Sequence, residues 1–147
     1  KALIQIDLIE QPVPKDNWEG LKKVTRLSKV LVCADESASS LPDALRLIKE
    51  KRVGAINIKL MKTGILHAVA IARWAKAHGI KLMIGGMMES PLAMTASAHL
   101  AAGLGCFDYI DLDTPFFIKD GIKNHPCLNA RGVYDLGRIK QGIGIKP

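Results

Sequence analysis

The chain has 147 residues, of which 48% are hydrophobic and 24% are charged, so a disordered chain is excluded and one domain with a real core is expected. The net charge is +7, but the basic residues are spread over helix-like segments without interleaved aromatic residues, which favours a solvated surface over nucleic-acid binding. No apolar run is long enough to span a membrane, and the three cysteines lack a CxxC pair, which favours free thiols in the cytoplasm.

Short apolar segments alternate with longer amphipathic segments along the chain. The apolar segments predict five strands, at residues 8–9, 30–34, 55–60, 81–84 and 109–112. They are apolar on both sides, as strands must be when helices cover one face and a core covers the other. The amphipathic segments predict helices at residues 18–28, 41–51, 66–78 and 91–104. This alternation predicts an α/β fold of parallel strands with right-handed crossovers.

The ends of the repeated elements carry their own signals. Asp16 is a candidate N-cap of the first predicted helix, Ser39 and Ser40 are candidate caps of the second, and Gly79 predicts the end of the third. After Pro115 the repeat fades into a Gly-rich segment. We therefore predict that residues 1–115 form the repeated part of a barrel and that residues 116–147 form an extension that covers the barrel end.

Charged residues follow nearly every predicted strand. In a parallel β/α fold the carboxyl ends of all strands lie on one face, and this face holds the active site. Several separate buried charges would each be costly to desolvate, whereas one shared metal ion and one shared substrate explain them together. The charged residues are Glu10, Asp35 with Glu36, Lys59, Glu89, and Asp111 with Asp113.

The residue types at these positions indicate a particular chemistry. Glu10 and Asp35 supply the hard oxygen ligands that Mg²⁺ prefers. Lys59 on the next strand, in a dry site near a cation, is expected to have a lowered pKa and to act as a base. Each residue also has an ordinary interpretation on its own, as a surface acid, a helix cap, a turn former or a snorkelling lysine. Lys62 is interpreted as a loop lysine, with a supporting role in the site as the alternative.

Four motifs in a fixed order carry a resemblance to a known family. They are EQP at 10–12, ADES at 34–37, NIKLMKTG at 57–64 and GMMES at 86–90. Together they resemble the muconate-lactonizing subgroup of the enolase superfamily, from about residue 8 to residue 115. The resemblance implies strands four to eight of a TIM-type β/α barrel. Gly64 is followed by Ile65 where the family usually has a second glycine, which leaves the geometry of this loop open.

The resemblance also implies roles for the charged residues. Glu10 and Asp35 would be two of three Mg²⁺ ligands, and Lys59 would be one of two acid/base lysines. Glu36 and Glu89 match positions that usually orient the site.

The segment DLDTP at 111–115 resembles the DxD signature of dipeptide epimerases. This resemblance implies that Asp111 and Asp113 hold the α-ammonium group of a dipeptide, and a cationic amine does need an anionic site. The implied reaction removes and returns the α proton of the C-terminal residue through an enediolate. The alternatives are a muconate-type cycloisomerase, an o-succinylbenzoate synthase, or a non-catalytic assembly fragment.

The resemblance finally predicts what lies outside this sequence. A complete barrel needs roughly 250 residues, and the first residue here is Lys1, so we expect the chain to be part of a longer product. The third ligand, an aspartate, and the second lysine should lie upstream. We expect the isolated chain to be inactive, and we expect its unpaired sheet edges to pair with the remaining N-terminal part of the enzyme or in a homo-oligomer.

Overall fold

The computed structural model describes residues 4–123 and 125–145. Its centre is one parallel sheet in which the strands neighbour each other in chain order. The strands are β1 (Leu8–Glu10), β2 (Leu31–Ala34), β3 (Ala55–Ile58), β4 (Lys81–Ile84) and β5 (Tyr109–Ile110). The helices between them are α1 (Trp18–Leu27), α2 (Leu41–Lys49), α3 (Leu60–Ala77) and α4 (Pro91–Leu104). The prediction of five parallel strands alternating with helices is confirmed.

The two faces of the sheet are buried in different ways. Because successive residues of a strand point to opposite faces, Val32, Ile56 and Leu82 face outward and form the main core with the helices. Cys33, Ala55 and Met83 point the other way and form a second cluster, on what becomes the inside of a barrel. The inner face of β3 therefore continues from Ala55 to polar residues at positions 57 and 59.

The starts of α1, α2 and α4 are capped by side chains. Ser40 and Ser90 each accept a hydrogen bond from the backbone N–H three residues later, and a proline follows in the first turn of both helices. The predicted N-cap at Asp16 is wrong by one residue, because Asn17 accepts the bond from the Gly20 N–H. The predicted start of the third helix at residue 66 is also wrong, because α3 begins at Leu60.

A break in α3 explains why its sequence pattern begins late. Gly64 lies within the helix at φ 69° and ψ 171°, outside the helical region. This positive φ favours glycine, and it separates one initial turn from the long amphipathic part that packs on the sheet. The initial turn carries Lys62 to the rim of the sheet, so this residue lies in a helical turn and not in a loop.

The segment after residue 115 packs along α4 and the end of β5. The Tyr134 hydroxyl donates to the Leu112 carbonyl at 3.0 Å, and His99 Nε2 lies 3.2 Å from the Ile143 carbonyl. Tyr134 and Leu136 pack against the apolar cluster of α4. Short 3₁₀ helices occur at Glu36–Ala38, Thr114–Phe117 and Leu136–Arg138. The division of the chain at residue 115 stays a prediction.

His125 fastens this segment to α4 in a way that depends on its protonation. Its Nδ1 accepts the Leu128 N–H at 2.9 Å. The Thr95 hydroxyl donates to the Pro91 carbonyl at 2.7 Å, so His125 Nε2 is the donor in its 3.2 Å contact with Thr95. The ring is therefore neutral, and burial lowers its pKa below the ordinary value.

Acidification is expected to loosen this attachment. Because the pKa of His125 is lower in the folded chain, the unfolded chain binds more protons near the ordinary pKa, and stability falls as the pH is lowered from 7 to 5. Urea unfolding across this range checks the slope. In His125→Gln the slope should decrease, whereas the exposed-residue control His67→Gln should keep it. An unchanged slope in His125→Gln would contradict the assignment.

Within the described residues, none of the helices has the length and apolar character needed to cross a membrane. Cys33 and Cys127 are buried, Cys106 is partly buried, and all three are free thiols.

Candidate active site

The carboxyl ends of the strands bring the predicted site residues to one rim. Glu10 is the last residue of β1, Asp35 follows β2, and Lys59 follows β3. Asp111 follows β5, and every neighbouring pair of strands is parallel. Glu10, Asp35, Lys59 and Asp111 therefore lie at the same end of the sheet, where the sequence predicted them.

Asp35 is the most firmly held carboxylate of the rim. The residue is only 4% exposed, and its backbone N–H donates to Gln11 Oε1 at 2.9 Å. Lys59 Nζ donates to its Oδ2 and Lys62 Nζ to its Oδ1, both at 2.6 Å. Burial alone would raise the pKa of Asp35, but the two ammonium groups outweigh it and lower the pKa. The carboxylate is therefore ionised and fixed in orientation.

Lys59 is partly buried and has few contacts besides Asp35. Its Nζ also lies 3.9 Å from Met87 Sδ. Burial lowers the pKa of Lys59, but the hydrogen bond and charge of Asp35 raise it more, so that the pKa is above its ordinary value. In the metal-free chain the ion pair with Asp35 therefore outweighs the desolvation, and a lowered pKa of Lys59 beside a bound cation stays a prediction. Lys59 has to leave Asp35 before it can accept a proton.

Lys62 is the second cation of the rim. Its Nζ donates to Asp35 Oδ1 at 2.6 Å, to the Asp35 carbonyl at 2.8 Å and to the Asn57 carbonyl at 3.1 Å. The three ammonium hydrogens therefore all have acceptors. Burial lowers the pKa of Lys62, and Asp35 offsets only part of this. The geometry makes Lys62 a fixed anchor for Asp35, in contrast to the less constrained Lys59.

Glu10 is held by a neutral partner instead of a lysine. The Asn57 side chain donates from Nδ2 to Glu10 Oε1 at 2.6 Å. Burial has the largest effect on the pKa of Glu10 and raises it, and the Asn57 bond lowers it. The charges of Asp35 and Asp111 raise it and the charge of Lys59 lowers it, with a net increase. Glu10 therefore lies in a negative environment that its hydrogen bond does not neutralise.

Asp111 and Asp113 are both exposed, next to the end of β5. Strand alternation does not strictly place them on one face, because β5 ends at Ile110 and Asp113 begins a 3₁₀ turn. They nevertheless lie close enough to interact, since burial and then the charge of Asp113 raise the pKa of Asp111. Within residues 4–123 and 125–145, neither carboxylate forms an ion pair.

The two glutamates that were expected to orient the site behave differently. Glu89 is 5% exposed, and its Oε1 accepts the Met87 N–H at 3.0 Å. It therefore shapes the loop after β4, whose Met87 contacts Lys59. Glu36 is exposed and begins a 3₁₀ turn, and it acts on the two lysines through its charge.

The donor set fits part of a magnesium site. Glu10 and Asp35 offer carboxylate oxygens from neighbouring strands, and Mg²⁺ prefers such oxygens. In the part of the chain that the structure describes, no group of three or more His, Cys, Asp or Glu side chains could hold a metal ion. Glu10 and Asp35 are therefore a partial ligand set for Mg²⁺.

The fold and the rim define a partial β/α barrel with acids and a lysine at its carboxyl end. A model of the family described as "Enolase C-terminal domain-like" matches residues 1–147, and the chain belongs to this family. The "Hydrophobic dipeptide epimerase" of Citrifermentans bemidjiense is 54% identical over 143 residues, which cover 95% of this chain and 39% of the relative. The chain thus spans well under half of that relative.

Two solved structures show the same fold. A mandelate racemase/muconate lactonizing enzyme from Roseiflexus sp. is 48% identical, with a TM-score of 0.91 over 98% of this chain and 42% of that one. The dipeptide epimerase from Enterococcus faecalis V583, complexed with Mg and the dipeptide L-Leu-L-Tyr, is 46% identical, with a TM-score of 0.74 over 76% of this chain and 32% of that one. The predicted family and the partial barrel are confirmed.

Sequence reasoning missed residues that hold the site together. Asn57 was passed over, although it lies two residues before Lys59 in a strand and must share its face. Lys62 was treated as a loop lysine. Gln11 was seen only as part of a motif, yet its Oε1 accepts both the Asp35 and the Ser37 N–H groups. An isolated amide in an apolar strand was the signal that could have identified Asn57.

Proposed function

We propose that the enzyme containing this chain catalyses the magnesium-dependent epimerisation of dipeptides at their C-terminal residue. The observation that carries this proposal is the pairing of Lys59 Nζ with Asp35 Oδ2 at 2.6 Å, on a rim that also holds Glu10 and Asp111. The names of similar proteins support it, including a hydrophobic dipeptide epimerase and a dipeptide epimerase complexed with Mg and L-Leu-L-Tyr.

Each residue of the rim has a role in this proposal. Glu10 and Asp35 hold the cation, and Mg²⁺ when bound would withdraw charge from the substrate carboxylate and make the α proton more acidic. Lys59, whose Nζ has to be neutral and away from Asp35 to act as a base, would hold and move the α proton at that atom. Lys62 keeps Asp35 in place. The isolated chain is expected to be inactive, because epimerisation needs a proton donor on the opposite face of the α carbon.

Asp111 and Asp113 bind the substrate ammonium group in this proposal. Both carboxylates are exposed at the rim, and the charge of Lys59 acts on Asp111, which supports a common binding space for the base and the acids. Two ionised carboxylates that lie close together repel each other, and a cation between them relieves this repulsion. A muconate-type cycloisomerase or an o-succinylbenzoate synthase has no ammonium group to bind, so the pair distinguishes these functions.

Asp111→Asn is expected to raise KM for a free dipeptide about 10- to 100-fold, because hydrogen bonds to charged groups contribute about 1.5–3 kcal/mol. The measurement is deuterium incorporation at the α carbon in D₂O, followed by proton NMR with the complete enzyme. An N-acetylated dipeptide, which lacks the cation, serves as the matched substrate and should respond much less. If Asp111→Asn leaves dipeptide turnover intact, the ammonium role is wrong and the other enzymes of the superfamily are favoured.

A further inference from the structure

We propose that Asn57 is a positioning residue for Glu10, and that Gly85 provides the space that the Asn57 amide needs. The inference rests on the proposed function in one respect, since Glu10 is taken as a ligand of the divalent cation. Asn57 itself touches neither the cation nor the substrate. Its effect is to fix one oxygen of Glu10, so that the other is presented to the metal.

Asn57 lies at a position where an asparagine is expected to lower the stability of the fold. Asn57 belongs to β3, all four of whose residues are buried, and it is 1% exposed. A buried amide loses its hydration, and asparagine is depleted in strands, so an aliphatic residue would suit this position better for stability. Its Oδ1 is buried and has no hydrogen-bond partner among the described residues. A group retained despite such costs calls for an explanation beyond packing.

The contact with Glu10 supplies that explanation. Asn57 lies on β3 and Glu10 on β1, so the amide reaches across the width of β2 to bond Glu10 Oε1 at 2.6 Å. A carboxylate is an acceptor only, so the Nδ2 group and not Oδ1 must face Glu10. The orientation of the amide is thereby determined, and the long side chain of Glu10 loses its freedom to rotate away from the rim.

A neutral donor suits this task better than a cation. Lys59 and Lys62 occupy both oxygens of Asp35 and compensate its charge. Asn57 holds Glu10 without adding positive charge, so the negative environment of Glu10 remains available to a divalent cation. Groups that hold a metal ligand in place typically change metal affinity 10- to 100-fold when they are removed.

Gly85 shows that the fold leaves room for this amide. A Cβ on Gly85 would lie 2.7 Å from Asn57 Nδ2 and 2.8 Å from Oδ1, which is closer than such contacts allow. The atoms that exclude a side chain at position 85 are therefore those of the Asn57 amide. The effects of mutations at positions 57 and 85 on Mg²⁺ affinity should therefore not be additive.

The test titrates Mg²⁺ into the metal-free complete enzyme by calorimetry and measures dipeptide kcat and KM in parallel. Asn57→Ala should weaken Mg²⁺ binding 10- to 100-fold. Asn57→Leu keeps the branched shape of the side chain without its polar atoms, and it should still lose the same affinity. Ile56→Val on the outward face of β3 is the matched control, and it should lower stability slightly with unchanged Mg²⁺ affinity.

Gly85→Ala completes a double-mutant cycle. It should weaken Mg²⁺ binding when Asn57 is present, and it should add little in the Asn57→Ala background because the clash is gone. Native affinity in both Asn57 variants overturns the inference and leaves the proposed function intact. If Gly85→Ala weakens Mg²⁺ binding equally in the native protein and in Asn57→Ala, the steric coupling between the two positions is overturned. A native enzyme that binds no Mg²⁺ overturns the inference together with the proposed function.

Discussion

Replacement of Lys59 with methionine is expected to lower kcat for dipeptide epimerisation about 10²- to 10⁴-fold, the usual contribution of a positioned acid or base. Methionine keeps most of the length and apolar volume of the side chain and removes the ammonium group. Because Lys62 still holds Asp35 Oδ1, the metal ligand should stay in place. The loss should therefore appear in kcat, whereas Mg²⁺ binding should be as tight as in the native enzyme or tighter, because the ammonium group that occupies Asp35 Oδ2 is gone.

The measurement is the formation of the opposite epimer at saturating dipeptide, with Mg²⁺ titration by calorimetry on the same samples. Lys76→Met is the matched control, because Lys76 is an exposed lysine on α3, the helix that follows Lys59. It should retain native kcat. If Lys59→Met interconverts the two epimers at the native rate, Lys59 is not the base, and the assignment of the rim chemistry fails with it.

The fold and the location of the rim could be predicted because they depend on local pattern. Each strand is a short apolar segment and each acid or lysine follows it directly, so chain order alone assigns Glu10, Asp35 and Lys59 to one end of a parallel sheet. The same argument explains why the strand bounds agree well with the structure. Boundaries that depend on a single side-chain contact, such as the Asn17 cap, were less predictable.

The contacts within the rim could not be predicted, because they join residues far apart in sequence. Asn57 and Glu10 are 47 positions apart, and Lys62 and Asp35 are 27 positions apart. The direction of the Lys59 pKa also depends on such a contact. Burial and the Asp35 ion pair act in opposite directions, and only the distance between the two groups decides which effect is larger.

Lys62→Met is expected to destabilise the metal-free enzyme by about 3 kcal/mol, near the lower end of the cost of breaking a buried ion pair. The side chains of Lys62 and Asp35 are 12% and 6% exposed, so solvent cannot replace the lost interaction. Lys59 remains bound to Asp35 Oδ2, which limits the loss. Urea unfolding in the presence of a chelator measures the free energy, and the exposed-residue control Lys22→Met on α1 should change it by less than about 0.5 kcal/mol.

The expected destabilisation of Lys62→Met is attributed to the charge of the Asp35 carboxylate and not to the lost volume of the lysine side chain. If the destabilisation of Lys62→Met comes from an uncompensated charge on Asp35, then Asp35→Asn should remove much of it in the double variant, with a coupling of about 0.5–3 kcal/mol. If it comes from lost packing of the lysine stem, the two effects should simply add. Additivity would therefore contradict the role of Lys62 as the fixed cation of the rim, because Asp35 Oδ1 and Lys62 Nζ are only 2.6 Å apart.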